Sequence, residues 1–238
     1  MSEEKKDAKG DFATILVHQL RTPLAGIKWT LSGVLKGDLG PLNDEQMKVL
    51  EKCYEDNDNT IAIVNDILSL DTLKSGKFQY NYEETQVVDL ISNIVTSFLP
   101  LAERYGIDLV FETEGLSLPP LVVDPNKIHT ILQNLIENAV TYSKPGTKIS
   151  VKLVPGKDEF TVSVSDQGIG ISKEEQPKIF SEFFRAKNAI KQRRDGIGLG
   201  LYIIKNVLEG QGGKIWFESE EGKGTTFFFT IPTNKTVS

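Results

Sequence analysis

The 238-residue sequence has little sulfur and little imidazole: one cysteine, Cys53, and two histidines, His18 and His129. A single thiol excludes an internal disulfide framework and any cysteine-rich zinc site. No apolar run reaches the roughly 20 residues a membrane-spanning helix needs. The opening MSEEKKDAKGD is charged where a signal peptide would be apolar. A cytoplasmic protein without membrane contact in these residues is therefore expected, any anchor of a full-length form lying in a missing N-terminal region. Positive charge is also in deficit, 27 Lys and Arg against 33 Asp and Glu, for a net charge of −6. That argues against a nucleic-acid partner, whose phosphates require a basic surface. Neither a Walker A sequence nor the dinucleotide fingerprint is present in proper context, and the eukaryotic-type kinase signatures are missing.

The chain is long enough for two modest domains, each with its own core. Residues 1–10 read as a charged linker stub. From Phe12 to Lys36 the apolar residues Phe12, Ile15, Leu16, Leu20, Leu24, Ile27, Leu31 and Val34 recur at helical spacing. Gly37 to Pro41 breaks that helix, and Asn43 with Gln46 three residues later forms a capping-box signature for the next. Met47, Leu50, Tyr54, Asn57, Ile61, Val64 and Leu68 then trace a narrow seam ending near Leu73. A lone hairpin leaves apolar surface exposed, so the expected arrangement is a four-helix bundle made with a second copy, a homodimer. Packing of the hairpin on the rest of its own chain is the alternative.

Beyond Ser75-Gly76 the pattern alternates. Helices are predicted at Val87–Tyr105, from the Asp124-Pro125 start to Tyr142, and at Leu199–Glu209. Strands are predicted at Ile107–Glu112, Lys148–Leu153 and Glu159–Ser165, with a closing hairpin of Lys214–Ser219 and Thr225–Ile231. Without regular βαβ alternation, this implies an α+β two-layer sandwich, one sheet with helices on one face.

Three glycine clusters stand out: Asp166-Gln-Gly168-Ile-Gly170, Asp195-Gly196-Ile-Gly198-Leu-Gly200, and Gly222-Lys-Gly224-Thr225. One such cluster is more often a turn than a site, but three within about sixty residues point to backbone N–H groups presented to phosphate. Asn134 and Asn138, four apart, share one helical face among apolar neighbours. Buried amides need partners, and a hard cation held together with phosphate oxygens would supply one. Arg185, Lys187, Lys191, Arg193 and Arg194 form a basic run without an acid, read as a mobile loop that closes on phosphates. His18 sits mid-helix with Thr22 one turn along, and Pro23 should bend the helix beside it. A neutral imidazole is available as a nucleophile near pH 7. His129 matches no such pattern and reads as ordinary helix surface or packing.

In this order, Asn134 to Asn138, Asp166-x-Gly-x-Gly, Phe180-x-x-Phe183-Phe184-Arg185, Gly196-x-Gly-x-Gly and Gly222-x-Gly-Thr resemble the ATP-binding boxes of sensor histidine kinases. Those kinases share a superfamily with gyrase, the heat-shock chaperones and MutL. His18-Gln19-Leu-Arg-Thr22-Pro23-Leu resembles the box around their phosphorylated histidine. The resemblance covers roughly residues 11–232. It implies a dimerisation and phosphoacceptor domain at 11–76, a linker at 77–84, a catalytic ATP-binding domain of Bergerat type at 85–232 and a tail at 233–238.

The resemblance further implies ATP and Mg²⁺ as cofactors, with Asn138 on the metal and Asp166 accepting the adenine amino group. Nucleotide contacts are implied for Asn134, Tyr142, Gly168, Gly170, Ile171, Phe180, Arg185, Gly196, Gly198, Leu199, Gly200, Leu201 and Thr225. Arg185 is assigned to the γ-phosphate. Asn134 stands where the superfamily's hydrolases carry a water-activating glutamate; an amide cannot take that proton, which fits transfer rather than hydrolysis. His18 would attack the γ-phosphorus in line and pass the phosphoryl group to the receiver domain of a response regulator. The Thr22 position orients water in the family's phosphatase reaction. Two residues depart from the pattern. Gln19 replaces the usual acid after the histidine and should slow phosphorylation without abolishing it. Thr141 replaces a common lysine, shifting phosphate neutralisation toward the basic loop. The competing readings are an ATPase or hydroxyl-directed kinase of the same superfamily, and a nucleotide-sensing dimeric scaffold.

Overall fold

The computed structural model describes the backbone of residues 4–76, 78–113, 118–193 and 196–233, with side chains at Val17 and from Gln19 onward within those ranges. The chain divides into two compact units, one built on a helical hairpin and the other on a mixed sheet.

Helix α1 spans Glu4–Leu35 and α2 spans Asp44–Lys74. The Asn43 side chain accepts from the Gln46 N–H at 2.8 Å and the Gln46 side chain accepts from the Asn43 N–H at 3.0 Å, so the capping box forms as its residue types dictate. Within the predicted seam Asn57 and Val64 are buried. Asn57 donates to the Leu24 carbonyl at 3.1 Å, Arg21 to Asn65 at 3.0 Å, and Lys28 pairs with Asp58 at 2.7 Å. These polar ties fix the register of α1 on α2 more than they add stability, since most lie near solvent. One expectation is corrected here. The charged stretch read as a linker stub is helical from Glu4, because its Glu, Lys and Ala residues are good helix formers that carry α1 back through Gly10. The helix also continues across Pro23.

The second unit begins with β1 (Glu83–Thr85) and α3 (Val87–Arg104), followed by β2 (Asp108–Glu112), β3 (Leu121–Val123) and α4 (Pro125–Tyr142). Next come β4 (Lys148–Pro155), β5 (Glu159–Ser165), a short 3₁₀ turn at Gln176–Lys178, α5 (Lys187–Gln192), α6 (Gly200–Gly210), β6 (Lys214–Glu220) and β7 (Gly224–Pro232). The main sheet has the order β2-β4-β5-β7-β6, parallel between β2 and β4 and antiparallel elsewhere. Strands β4 and β5 alternate between buried and less buried positions. Ile149, Val151, Leu153, Phe160, Val162, Val164, Phe227, Phe229 and Ile231 are buried, while the residues between them on β4 and β5 are less so. That face packs under α3, α4 and α6, whose inner stripes supply Ile91, Ile128, Ile131, Leu132, Leu135, Ile136, Ile204 and Leu208. The expected two-layer sandwich with helices on one face is therefore present.

Sequence pattern missed the antiparallel pairing of β1 with β3, two three-residue strands too short to display a period. Part of the presumed linker is also fastened to the sheet-bearing unit. The Tyr80 hydroxyl donates to the Val207 carbonyl at 2.9 Å, and the Asn81 N–H donates to Asp124 at 2.8 Å. Asp124, 2% exposed, uses its other oxygen to cap α4 through the Lys127 N–H at 3.1 Å. Asp124→Ala leaves both donors unpaired, so urea unfolding should show a loss of about 2 kcal/mol. A loss below about 0.5 kcal/mol would mean that the carboxylate is dispensable.

Candidate functional site

Of the polar residues that sequence reading singled out in the second unit, Asp166 and Thr225 meet where β5 ends and β7 begins, and Asn134 and Asn138 lie on α4. Asp166 follows β5 directly, and its backbone N–H donates to the Thr225 carbonyl at 2.8 Å, extending the β5–β7 ladder by one residue. The Asp166 Oδ1 accepts from the Gly168 N–H at 2.8 Å and the Thr225 N–H at 3.1 Å. Burial nevertheless pushes its carboxyl up to about 6, desolvation outweighing those two hydrogen bonds, which pull the other way. The Oδ2 accepts no hydrogen bond among the described residues, which leaves an acceptor whose desolvation a ligand donor would offset.

The first glycine cluster wraps against the turn between β6 and β7. Gly170 has φ 62°, and a Cβ there would collide with the Glu220 carbonyl; Gly224, at φ 125°, would collide with the Asp166 carbonyl. Glycine is required at both positions because backbone meets backbone, a tighter reason than ligand access. Ile169 donates to the Tyr142 carbonyl at 3.2 Å, joining the loop to the end of α4. Gly196 and Gly198 are also in the left-handed region, at φ 108° and 73°. Arg194 and Asp195 lie outside the described residues.

On α4 the Asn138 amide donates to the Asn134 Oδ1 at 3.1 Å, and both side chains are half-buried. Gly200, the first residue of α6, approaches so closely that a Cβ would overlap the Asn134 Nδ2. The Asn138 Oδ1 accepts no hydrogen bond among the described residues, and an amide oxygen suits Mg²⁺. Among those residues no group of three His, Cys, Asp or Glu could hold a metal ion. The residues therefore fit an ion held by one protein oxygen together with substrate phosphates, as is usual for Mg²⁺.

The basic run is not a loop throughout, as had been expected: Lys187–Gln192 form α5. The helix lacks a capping side chain of its own at Ala186, so its ends are held from outside. Glu175 accepts from the Lys187 N–H at 3.0 Å, and that bond holds the Glu175 carboxyl below its ordinary value. Asn188 donates to the Gly170 carbonyl at 2.9 Å, and Gln192 to the Thr141 carbonyl at 2.8 Å. Arg193 reaches the Thr141 hydroxyl at 3.4 Å, and Arg185 donates to the Arg193 carbonyl. Thr141 therefore receives an arginine of the basic run through its hydroxyl.

Phe180 packs against Phe217 and Phe227, with ring centroids 5.7 and 6.4 Å away, and the Lys205 ammonium lies over its ring at 5.8 Å. Gly168, Ile171, Leu199 and Thr225 are buried, whereas Tyr142 and Leu201 are half-buried. In the other unit Gln19 and Thr22 are exposed on α1; His18 lies on the same helix, and its side chain is outside the described residues. His129 is exposed on α4.

Ser219 and Gln176 escaped the sequence reading. The Gln176 amide donates to the Ile171 and Ser219 carbonyls, each at 3.1 Å, and the Ser219 hydroxyl accepts from the Ile171 N–H at 2.9 Å. A serine at an alternating strand position carries no local signal of such partners. Asp166, Ser219 and Thr225 line one open cavity of about 430 Å³ that does not include Asn134 or Asn138.

Two family models match the chain. Residues 8–76 match the His Kinase A (phospho-acceptor) domain, and residues 123–235 match the histidine kinase-, DNA gyrase B-, and HSP90-like ATPase. The sensor histidine kinase WalK of Bacillus subtilis is 33% identical over 97% of this chain, which spans 38% of WalK's length. The solved catalytic domain of histidine kinase ThkA is 33% identical, with a TM-score of 0.56 over 64% of this chain and 96% of that one. Full-length ShkA, solved in complex with AMPPNP, shares the fold with a TM-score of 0.72 over 96% of this chain and 47% of its own, at 24% identity.

Proposed function

The chain belongs to the histidine kinases, and on that footing we propose that it is an autophosphorylating protein-histidine kinase of a two-component pair. It takes the γ-phosphoryl group of ATP onto His18 and passes it to an aspartate in the receiver domain of a response regulator. Residues 11–76 serve as the dimerisation and phosphoacceptor domain, 85–232 as the ATP-binding domain.

The observation that carries this reading is the amide pair Asn134–Asn138 in the same unit as the partly buried Asp166 carboxylate. Asp166 Oδ2 accepts from the exocyclic amino group of adenine; guanine would present a carbonyl there and leave two acceptors facing each other. Asn138 Oδ1 would hold Mg²⁺, which would supply neutralising charge to the phosphate oxygens. The N-terminus of α6 at Gly200 adds a field favourable to phosphate. Asn134 orients but cannot deprotonate water, so hydrolysis lacks its base. Arg185 exchanges its hold on the Arg193 carbonyl for the γ-phosphate, and Arg193 and the lysines of α5 screen the rest. In the transfer an N–P bond forms at the His18 imidazole, the bond from the γ-phosphorus to its bridging oxygen breaks, and ADP leaves.

Leu20, Ile27 and Ile67 are exposed on the single hairpin, which supports burial against a second copy as a four-helix bundle. Thr22, exposed one turn along the helix from His18, orients water for dephosphorylation of the regulator. Among the described residues no helix is long and apolar enough to cross a membrane.

Incubation with Mg²⁺ and γ-labelled ATP tests the proposal. Label that is acid-labile, alkali-stable and lost in His18→Ala is expected. Acid-stable label would indicate a hydroxyl acceptor, released phosphate an ATPase, and bound ATP without turnover a scaffold; each of these overturns it.

A further inference from the structure

The hydroxyl of Ser219 lies among more partners than it has protons. Ser219 on β6 stands directly opposite Thr225 on β7, on the same strand face as Phe217 and Phe227. Its oxygen accepts from the Ile171 N–H at 2.9 Å, lies 3.0 Å from the Gly224 carbonyl, and lies 2.8 Å from the Thr225 hydroxyl. A serine has one hydrogen to give. If that hydrogen goes to the Gly224 carbonyl, the contact with Thr225 must be donated by Thr225, which then turns only lone pairs toward its other neighbours. If it goes to Thr225, the threonine proton is released toward whatever lies beside Asp166. At 2.8 Å either oxygen can be the donor, so both arrangements are open.

We propose that Ser219 is a positioning residue for base recognition, donating to Thr225 when the base is bound so that Thr225 presents a hydrogen-bond donor beside the acceptor of Asp166. Asp166 Oδ1 is occupied by the Gly168 and Thr225 N–H groups, which leaves Oδ2 as the acceptor. An acceptor next to a donor matches the adenine edge, whose amino group donates and whose ring N1 accepts; the guanine edge presents the opposite order. Gln176 holds this geometry in place by clamping the Ile171 and Ser219 carbonyls with its two amide hydrogens. Each box separately resembles a turn, yet Ser219 joins the first glycine cluster, through Ile171, to the third, through Gly224 and Thr225.

The inference rests on reading this site as the adenine pocket, and the experiment separates the two. Isothermal titration compares ADP with its 1-deaza analogue, which lacks the ring acceptor, on wild type, Ser219→Ala and Ser219→Thr. Wild type and Ser219→Thr should prefer ADP by about tenfold, one charge-neutral hydrogen bond, and Ser219→Ala should lose the preference to within about threefold. If Ser219→Ala weakens both ligands equally and keeps the ratio, Ser219 only holds the loops and the inference is wrong. Failure of the wild type to bind ADP overturns the adenine reading itself. Ser219→Cys, close in volume but a weak donor, reads the same ratio should the alanine variant fail to fold.

Discussion

Asp166→Asn should weaken adenine-nucleotide binding about a hundredfold or more while making the ligand-free protein more stable. The carboxyl titrates near 6 in the folded chain against 3.8 for an exposed aspartate, so the folded state binds its proton more tightly than the unfolded state does. Above about pH 6 the ionised, desolvated group works against folding, and the gap amounts to at most about 3 kcal/mol at neutral pH. Asparagine keeps an oxygen for the Gly168 and Thr225 N–H groups but carries no charge. Urea unfolding at pH 7.5 should therefore show a gain on the order of 1–3 kcal/mol, shrinking as pH falls from 6 and vanishing only below about 3.8, where the wild-type carboxyl is neutral in both states. The same substitution turns an N–H toward the adenine amino group, donor against donor, and ADP affinity should fall on the order of a hundredfold or more. Wild-type affinity should itself decline below pH 6. A variant that binds ADP within threefold of wild type, or that is less stable at pH 7.5, would contradict the assignment of Asp166.

Gly200→Ala should reduce phosphotransfer at least tenfold without unfolding the protein. Gly200 is not at positive φ, and alanine is the better helix former, so α6 itself gains from the change. The new methyl group meets the Asn134 amide, which would have to swing away from Asn138. A double-mutant cycle isolates the effect. Gly200→Ala should cost activity on its own but nothing further in an Asn134→Ala background, where no amide remains to displace. Additive losses in that cycle would mean that Gly200 acts through something other than Asn134.

The parts of the molecule legible in sequence are those whose signals are local. Asn43 and Gln46 sit three residues apart and bond to each other, so α2 announces its own start. Asp124-Pro125 does the same for α4, and the alternation of β4 and β5 predicts which face is buried. The basic run illustrates the opposite case. Its helix α5 has no cap of its own and exists through Glu175, Gly170 and Thr141, which are 12, 18 and 51 residues from their partners.

The glycine boxes show both limits in one place. In sequence the glycines at 170 and 224 read as backbone offered to phosphate, and the role of Asp166 came from the resemblance to histidine kinases. The carbonyls of Glu220 and Asp166, which impose those glycines, became visible only when the turn between β6 and β7 closed on the loop after β5. Ser219 acquired its role in the same way. In sequence it is one polar residue in an alternating strand; in the fold it stands across from Thr225 and below Ile171. Sequence by itself determined the starts of α2 and α4 and the buried faces of β4 and β5, because capping and burial periodicity act over a few residues. Tertiary structure alone decided which hydroxyl meets which, and so which way a proton can point, because a hydrogen bond depends on tenths of an ångström between groups far apart in the chain.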